Sequence, residues 1–225
     1  MHLYALSNES EEYRRARDEL LTAEMALRDQ REQVAEMRRG LPAGPLVDDY
    51  VFREGAADLS QNEAGDYFDT RLSELFEPGK STLIIEHLMY GPDWDDACPM
   101  CAMWLDGYNG IMRHVRNRTS LAIVARADIG KIRGWAAIRG WNNLRLLSSH
   151  DNSFTQDFGM EQNGGQMPGI SVFTKEADGQ VRAYYTHGAV MAKDQYRGLD
   201  LYSPVWQLFD LLPEGRGEWL PKLDY

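Results

Sequence analysis

The chain has 225 residues, 43% of them apolar and 26% charged, which is enough to bury a core without disulfide staples or structural metals. Its 24 basic and 35 acidic side chains leave a net charge of −11, which argues against nucleic acid or an anionic membrane as partner, because phosphate binding needs Lys and Arg. No run approaches 18 apolar residues, and the first residues show no basic stretch followed by an apolar one, so no membrane span or leader is expected and the cytoplasm is the expected compartment.

In chain order, residues 9–39 read as one long helix. Tyr13, Ala16, Leu20, Ala23, Leu27, Gln30, Val34 and Met37 follow at alternating spacings of three and four, a heptad stripe with one polar member. Asn8 is the expected N-cap, and Gly40 and Pro42 are stop signals. The stripe either pairs two copies of the chain as a homodimer or lies against its own domain. Residues 1–45 are therefore taken as a helical extension and 46–225 as the main domain. Residues 41–80 carry no clear pattern beyond a short helix over Leu72–Phe76. Ser81–Met89 and Leu121–Ala125 read as buried strands, Cys98–Arg113 as a helix, and Asp128 as the cap of a helix running to Gly140. Leu144–Ser148 is a third strand and Ser149–Gly169 a polar connection. Ile170–Lys175 and Val181–Thr186 form a hairpin around Asp178-Gly179, and a last helix spans Ser203–Leu212. The order strand, helix, strand, helix, strand, hairpin, helix predicts an α/β fold, a central mixed sheet with helices on both faces.

The chemistry concentrates in residues 41–106, which carry 3 basic and 14 acidic groups and both cysteines. Cys98 and Cys101 form a C-x-x-C, too few cysteines for a disulfide scaffold. Cys98 falls at the start of its helix, where Pro99 fits the first helical position. A thiolate there is stabilised by the helix dipole and free backbone N–H groups, which lowers its pKa. Cys98 is the expected nucleophile and Cys101, three residues deeper, the thiol that resolves a mixed disulfide. Asp93, Asp95 and Asp96 oppose this, since nearby carboxylates raise a thiol's pKa.

The stretch YGPDWDDACPMCAMWLDGYNG resembles the signature of a bacterial family in the thioredoxin-like superfamily, a domain of unknown function often described as predicted dithiol-disulfide isomerases. ARDELLTAEMALRDQREQVAEMRRGLP, PGISVFTKEADGQVRAYYTHG and LFDLLPEGRGEW resemble the same family. The resemblance spans about residues 10–220 and implies a thioredoxin-like fold, peroxiredoxin-like in layout, with Cys98 and Cys101 as the redox pair of a thiol–disulfide oxidoreductase. Protein or small-molecule thiols and disulfides would be its partners. Such folds place a cis-proline before the strand that faces the dithiol, and Pro168 holds that position. Trp94, Pro99 and Pro168 are thus the expected substrate-facing residues. Thioredoxin also buries an acid beneath its dithiol; Glu86 and Asp93 are the candidates here. Peroxiredoxins carry a threonine three residues before the attacking cysteine, and Asp95 stands there instead, which weighs against a peroxidase.

Two other readings use the same residues. A zinc module would recruit His87 and His114 to the cysteines, although the spacing matches no finger or ribbon. A dimeric scaffold would use the heptad helix and leave the dithiol vestigial. His150 and His187 are weaker candidates for a base beside the nucleophile. No glycine motif for a nucleotide follows a strand, so the expectation includes no cofactor and no metal.

Overall fold

The computed structural model describes residues 6–191 and 197–225 and divides the chain into two units, Met1–Ala43 and Gly44–Tyr225. In the first, helix α1 spans Glu11–Arg39. Its cap is Ser10, whose Oγ accepts from Tyr13 N at 3.1 Å, and not Asn8, which sits two residues earlier with φ 68°. Glu11 and Glu12 in the first turn and Arg38 and Arg39 in the last complement the helix dipole. No residue of α1 is buried, and Leu20, Leu27 and Met37 of the heptad stripe are exposed. No helix of the described residues is long and apolar enough to cross a membrane.

The second unit is built on a seven-stranded sheet. Its strands are β1 (Val51–Gly55), β2 (Tyr67–Arg71), β3 (Thr82–His87), β4 (Ser120–Ala125), β5 (Leu146–Ser148), β8 (Gly169–Lys175) and β9 (Val181–Gly188). A separate two-stranded ribbon, β6 (Glu161–Gln162) and β7 (Gly165–Gln166), precedes β8. The sheet order is β2-β1-β5-β4-β3-β8-β9. β3, β4 and β5 are parallel, and the other pairs are antiparallel. The fold is thioredoxin-like: parallel strands joined by helices, then an antiparallel hairpin added beside β3. Helix α2 (Pro99–Val115) links β3 to β4, and α3 (Ile129–Arg139) links β4 to β5. Asp128 caps α3 by accepting from Gly130 N at 2.8 Å, and Gly140 ends it in the left-handed conformation. The Asp178-Gly179 turn closes the β8–β9 hairpin with Gly179 at φ 91°.

Three segments differ from the sequence expectation. Residues 41–80 contain the β1–β2 hairpin, which extends the sheet at its far edge and pairs β1 with β5. The helix expected over Leu72–Phe76 is a single 3-10 turn at Leu72–Glu74. The last helix, α5, is regular only over Pro204–Phe209. The connection 149–169 holds a four-residue helix, α4 (Phe154–Asp157), besides the β6–β7 ribbon.

Side-chain alternation on β3 divides the core. On one face α2 and α3 pack Cys101, Leu105 and Ile132 with Leu121 and Ile123 of the sheet. On the other, the 3-10 turn and α4 bring Leu72 and Phe154 against Leu83, Ile85 and Phe173. Helical segments thus cover both faces.

The first residue of β8, directly after Pro168, tolerates no side chain. A Cβ on Gly169 would meet Met160 Sδ at 2.4 Å and the backbone oxygen of His187 at 2.9 Å. The backbone contact cannot be relieved by a rotamer change. Gly169→Ala is expected to lose about 1–3 kcal/mol, read as a lower urea midpoint with unchanged slope.

Candidate active site

The junction between β3 and α2 is fixed by backbone hydrogen bonds. After β3, Leu88 N donates to Val124 O at 2.9 Å, and Ala127 N donates to Tyr90 O at 2.8 Å. The loop is held further out by Tyr90 Oη to Asp95 O at 3.1 Å and Lys131 Nζ to Pro92 O at 3.0 Å. Cys98 N then donates back to Met89 O at 3.0 Å. This return sets Cys98 as the N-cap of α2, with Pro99 in the first turn, where a missing N–H leaves nothing unsatisfied.

Both cysteines are free thiols; Cys98 is half-buried and Cys101 buried. Their proton affinities move in opposite directions. The Cys101 thiol donates toward Cys98 and, with the backbone N–H groups of Cys101 and Met100, outweighs burial and lowers the Cys98 pKa to about 6. Cys101 is pushed well above its ordinary value, first by its hydrogen bond to Cys98 and then by burial and the Cys98 charge. The carboxylates before the motif do not reverse this. Asp96 and Asp95 act on Tyr90, where, after burial, they raise the phenol's pKa.

Glu86 lies beneath the pair. It lies on the face of β3 that Ile84 also shares toward α2, is 1% exposed, and neither carboxyl oxygen has a hydrogen-bond partner among the described residues. Burial raises its pKa well above the carboxylate range, and its charge is felt at both Cys101 and Tyr108. Of the two acids named from the sequence, Glu86 is the buried one; Asp93 is exposed on the loop.

Other expected residues fall in different places. Trp94 covers Gly91: a Cβ there would meet its Cδ1 and Nε1 at 2.8 Å, along with Gln166 Nε2. Pro168 borders a cavity with Met100, the residue between Pro99 and Cys101. The expectation of a cis peptide at Pro168 is corrected, since no described peptide bond is cis. Met167 N bonds to Met160 O at 2.9 Å and Ala189 N to Pro168 O at 3.1 Å, which holds an extended trans path from β7 into β8. The zinc reading loses one of its two histidines: His87 sits on the opposite face of β3, with Nε2 2.9 Å from Ser171 Oγ and its ring stacked on Phe154. Among the described residues no three His, Cys, Asp or Glu side chains are grouped to hold a metal ion. His150 Nδ1 lies 3.3 Å from Arg126 O and His187 Nε2 2.8 Å from Gly198 O. The residues unforeseen from sequence are Trp206 and Trp219, which face Trp104 and Pro168 across the cavity; only the resemblance of LFDLLPEGRGEW to the family hinted at that segment.

A mixed sheet of this order with a C-x-x-C at the helix start after β3 defines a thioredoxin-like fold carrying a dithiol with one half-buried and one buried sulfur. The pattern of one family, described as "Bacterial protein of unknown function (DUF899)", matches residues 5–225, and the chain belongs to that family. No curated protein matches the sequence. Similar solved structures include reduced Prx3 from Vibrio vulnificus in complex with H2O2 (12% identity, TM-score 0.47, covering 67% of this chain and 86% of that one). AhpC from Mycobacterium bovis is 15% identical with TM-score 0.46 over 82% of this chain and 98% of its own. The exposed lipoprotein thioredoxin Etrx1 from Streptococcus pneumoniae is 16% identical with TM-score 0.43 over 69% and 98%.

The asymmetry of the two thiols is measurable. The rate of Cys98 alkylation against pH is expected to reach half its plateau near pH 6. Cys101→Ala removes the largest stabilising contact and shifts that midpoint upward; an unchanged midpoint contradicts the assignment.

Proposed function

We propose that this protein is a thiol–disulfide oxidoreductase whose catalytic residues are Cys98 and Cys101, in the domain formed by residues 46–225. The observation that carries the reading is the opposed proton affinity of two thiols one helical turn apart, the outer one poised near pH 6. The Cys98 thiolate attacks a disulfide sulfur and forms a mixed disulfide, releasing one thiolate of the substrate. Its charge is then gone, and with it one of the effects that raise Cys101. Cys101 loses its proton and attacks Cys98 Sγ, which closes the intramolecular disulfide and releases the second thiolate. Glu86 is the group placed to exchange that proton. A carboxyl whose proton affinity is raised by burial trades a proton with a thiol at small cost in either direction. Pro99 and Pro168 flank the dithiol where substrate docks, with Trp94 on the loop leading to it.

The test is a redox titration in glutathione buffers, with free thiols alkylated and counted by mass. A two-thiol transition at a potential between about −270 and −120 mV is expected; failure to form a Cys98–Cys101 disulfide in any buffer overturns the proposal. Glu86→Gln separates the acid's role from packing. A folded-state pKa raised above the unfolded one gives stability that is complete below the ordinary carboxylate range and is lost as pH rises. Gln mimics the protonated form, so the variant is expected to outlast the wild type increasingly toward high pH. It cannot exchange a proton, so closure of the disulfide is expected to slow on the order of 10²-fold. Faster unfolding without a change in closure rate would remove Glu86 from the mechanism.

A further inference from the structure

The geometry points to a substrate class for this dithiol: small, uncharged disulfides that carry an aromatic group on sulfur, seated in the cavity beside Met100. The inference rests on the redox reading above and adds the ligand. The cavity has a volume of about 460 Å³, the size of a small-molecule site. Met100 and Pro168 border it on the dithiol side, and Trp104, Trp206 and Trp219 line it. The far wall is stiffened by aromatic contacts. Trp219 packs edge-on against Trp206 and Phe209, with ring centroids 5.6 and 4.9 Å apart, and stacks on Tyr225. Three indoles around one cavity favour an aromatic occupant, because ring pairs contribute beyond the area they bury.

The charges of the rim decide the rest. Arg216 is held by Asp210 at 2.6 Å and by Asp200 at 2.7 Å, and lies 4.9 Å above the Trp206 ring. Arg197 pairs with Asp200 as well. Two guanidinium groups thus meet two carboxylates, and Glu218, also on the lining, adds a negative charge. Asp93, Asp95 and Asp96 stand exposed on the loop leading to Cys98. Among the described lining residues both cations are already paired with carboxylates, which gives a polyanionic disulfide such as glutathione disulfide little to bind, and an uncharged aryl disulfide needs no cation.

The reaction balances on the protein's own electrons. The Cys98–Cys101 dithiol is oxidised to the intramolecular disulfide, the aryl S–S bond is cleaved, and two aryl thiols leave with the two electrons and two protons. The probes are dipyridyl disulfide, bis-hydroxyethyl disulfide and glutathione disulfide. Each is mixed with fully reduced protein in a single turnover, and each rate is normalised to that of N-acetylcysteine with the same disulfide. The non-reducible dipyridyl sulfide is titrated in parallel by calorimetry. The expected result is a normalised preference for dipyridyl disulfide of about tenfold or more over both others. Trp219→Ala, which removes a wall, and Ala189→Phe, which fills the cavity from another side, both lower that preference and weaken sulfide binding about tenfold. Equal normalised rates for all three disulfides, with no sulfide binding, overturn the cavity assignment and leave the dithiol chemistry intact. Sulfide binding that the two variants weaken, with no disulfide reduced, overturns the dithiol reading and upholds the cavity as an aromatic site.

Discussion

The backbone N–H groups at the start of α2 act on the sulfur of Cys98, and the site depends on where those groups are held. The Cys101 thiol lowers the Cys98 pKa most, and the backbone N–H groups of Cys101 and Met100 add to it; both need Cys98 in the first turn, where the loop from β3 pins Cys98 N to Met89 O. That loop is in turn tied to the strand after α2, through Leu88 to Val124 and Ala127 to Tyr90. β3 lies inside the sheet, paired with β4 on one side and β8 on the other. The dithiol is therefore mounted at the end of a strand paired on both sides, and Pro168 directly precedes the neighbouring strand β8.

Electrostatics then distinguishes two chemically identical side chains. Within one turn of helix only one of the two sulfurs can hold the charge, because the second would repel the first in a poorly hydrated site. The half-buried sulfur accepts from the Cys101 thiol and the helix N–H groups; the buried one lies within the field of the Glu86 carboxyl. Exposure and proton affinity thus single out the same residue: Cys98 is the more accessible sulfur and the one that loses its proton more readily. The acidic loop does not disturb the arrangement, since the charges of Asp95 and Asp96 act on the Tyr90 phenol.

Much of this was legible in the sequence, for local reasons. β3, β4, α2 and α3 announce themselves through unbroken apolar runs, a Pro at a helix start, and Asp128 and Gly140 as caps. The β8–β9 hairpin follows from Asp178-Gly179. The β1–β2 hairpin was hidden because its strands are only five residues long, β2 is mostly exposed, and the buried positions of β1 include Glu54 and Gly55, a pattern that reads as loop. The dithiol was visible as a motif, but the acid beneath it was not resolved: the distance from Glu86 to the cysteines is set by a loop whose path no spacing rule gives. The cavity wall was invisible for a similar reason. Trp206, Phe209, Trp219 and Tyr225 share no period; turns after α5 bring their rings together.

β3 also shows why a single strand can carry two buried titratable groups. Glu86 and His87 are neighbours in sequence and project to opposite faces, so neither can neutralise the other. Each is instead stabilised by staying uncharged. Burial pushes Glu86 up and His87 down to about 3, with His87 Nε2 satisfied by Ser171. The two have opposite consequences. Unfolded chain takes up a proton on His87 below the ordinary imidazole range while native chain does not, so stability falls with pH on that side. Glu86 favours the native state at low pH and costs stability as pH rises. Cys98 loses its proton around pH 6, where the unfolded imidazole still takes up protons in part and the buried carboxyl already costs stability. Around the pH at which Cys98 ionises, both β3 groups therefore weigh against the native state, His87 less and Glu86 more as pH rises.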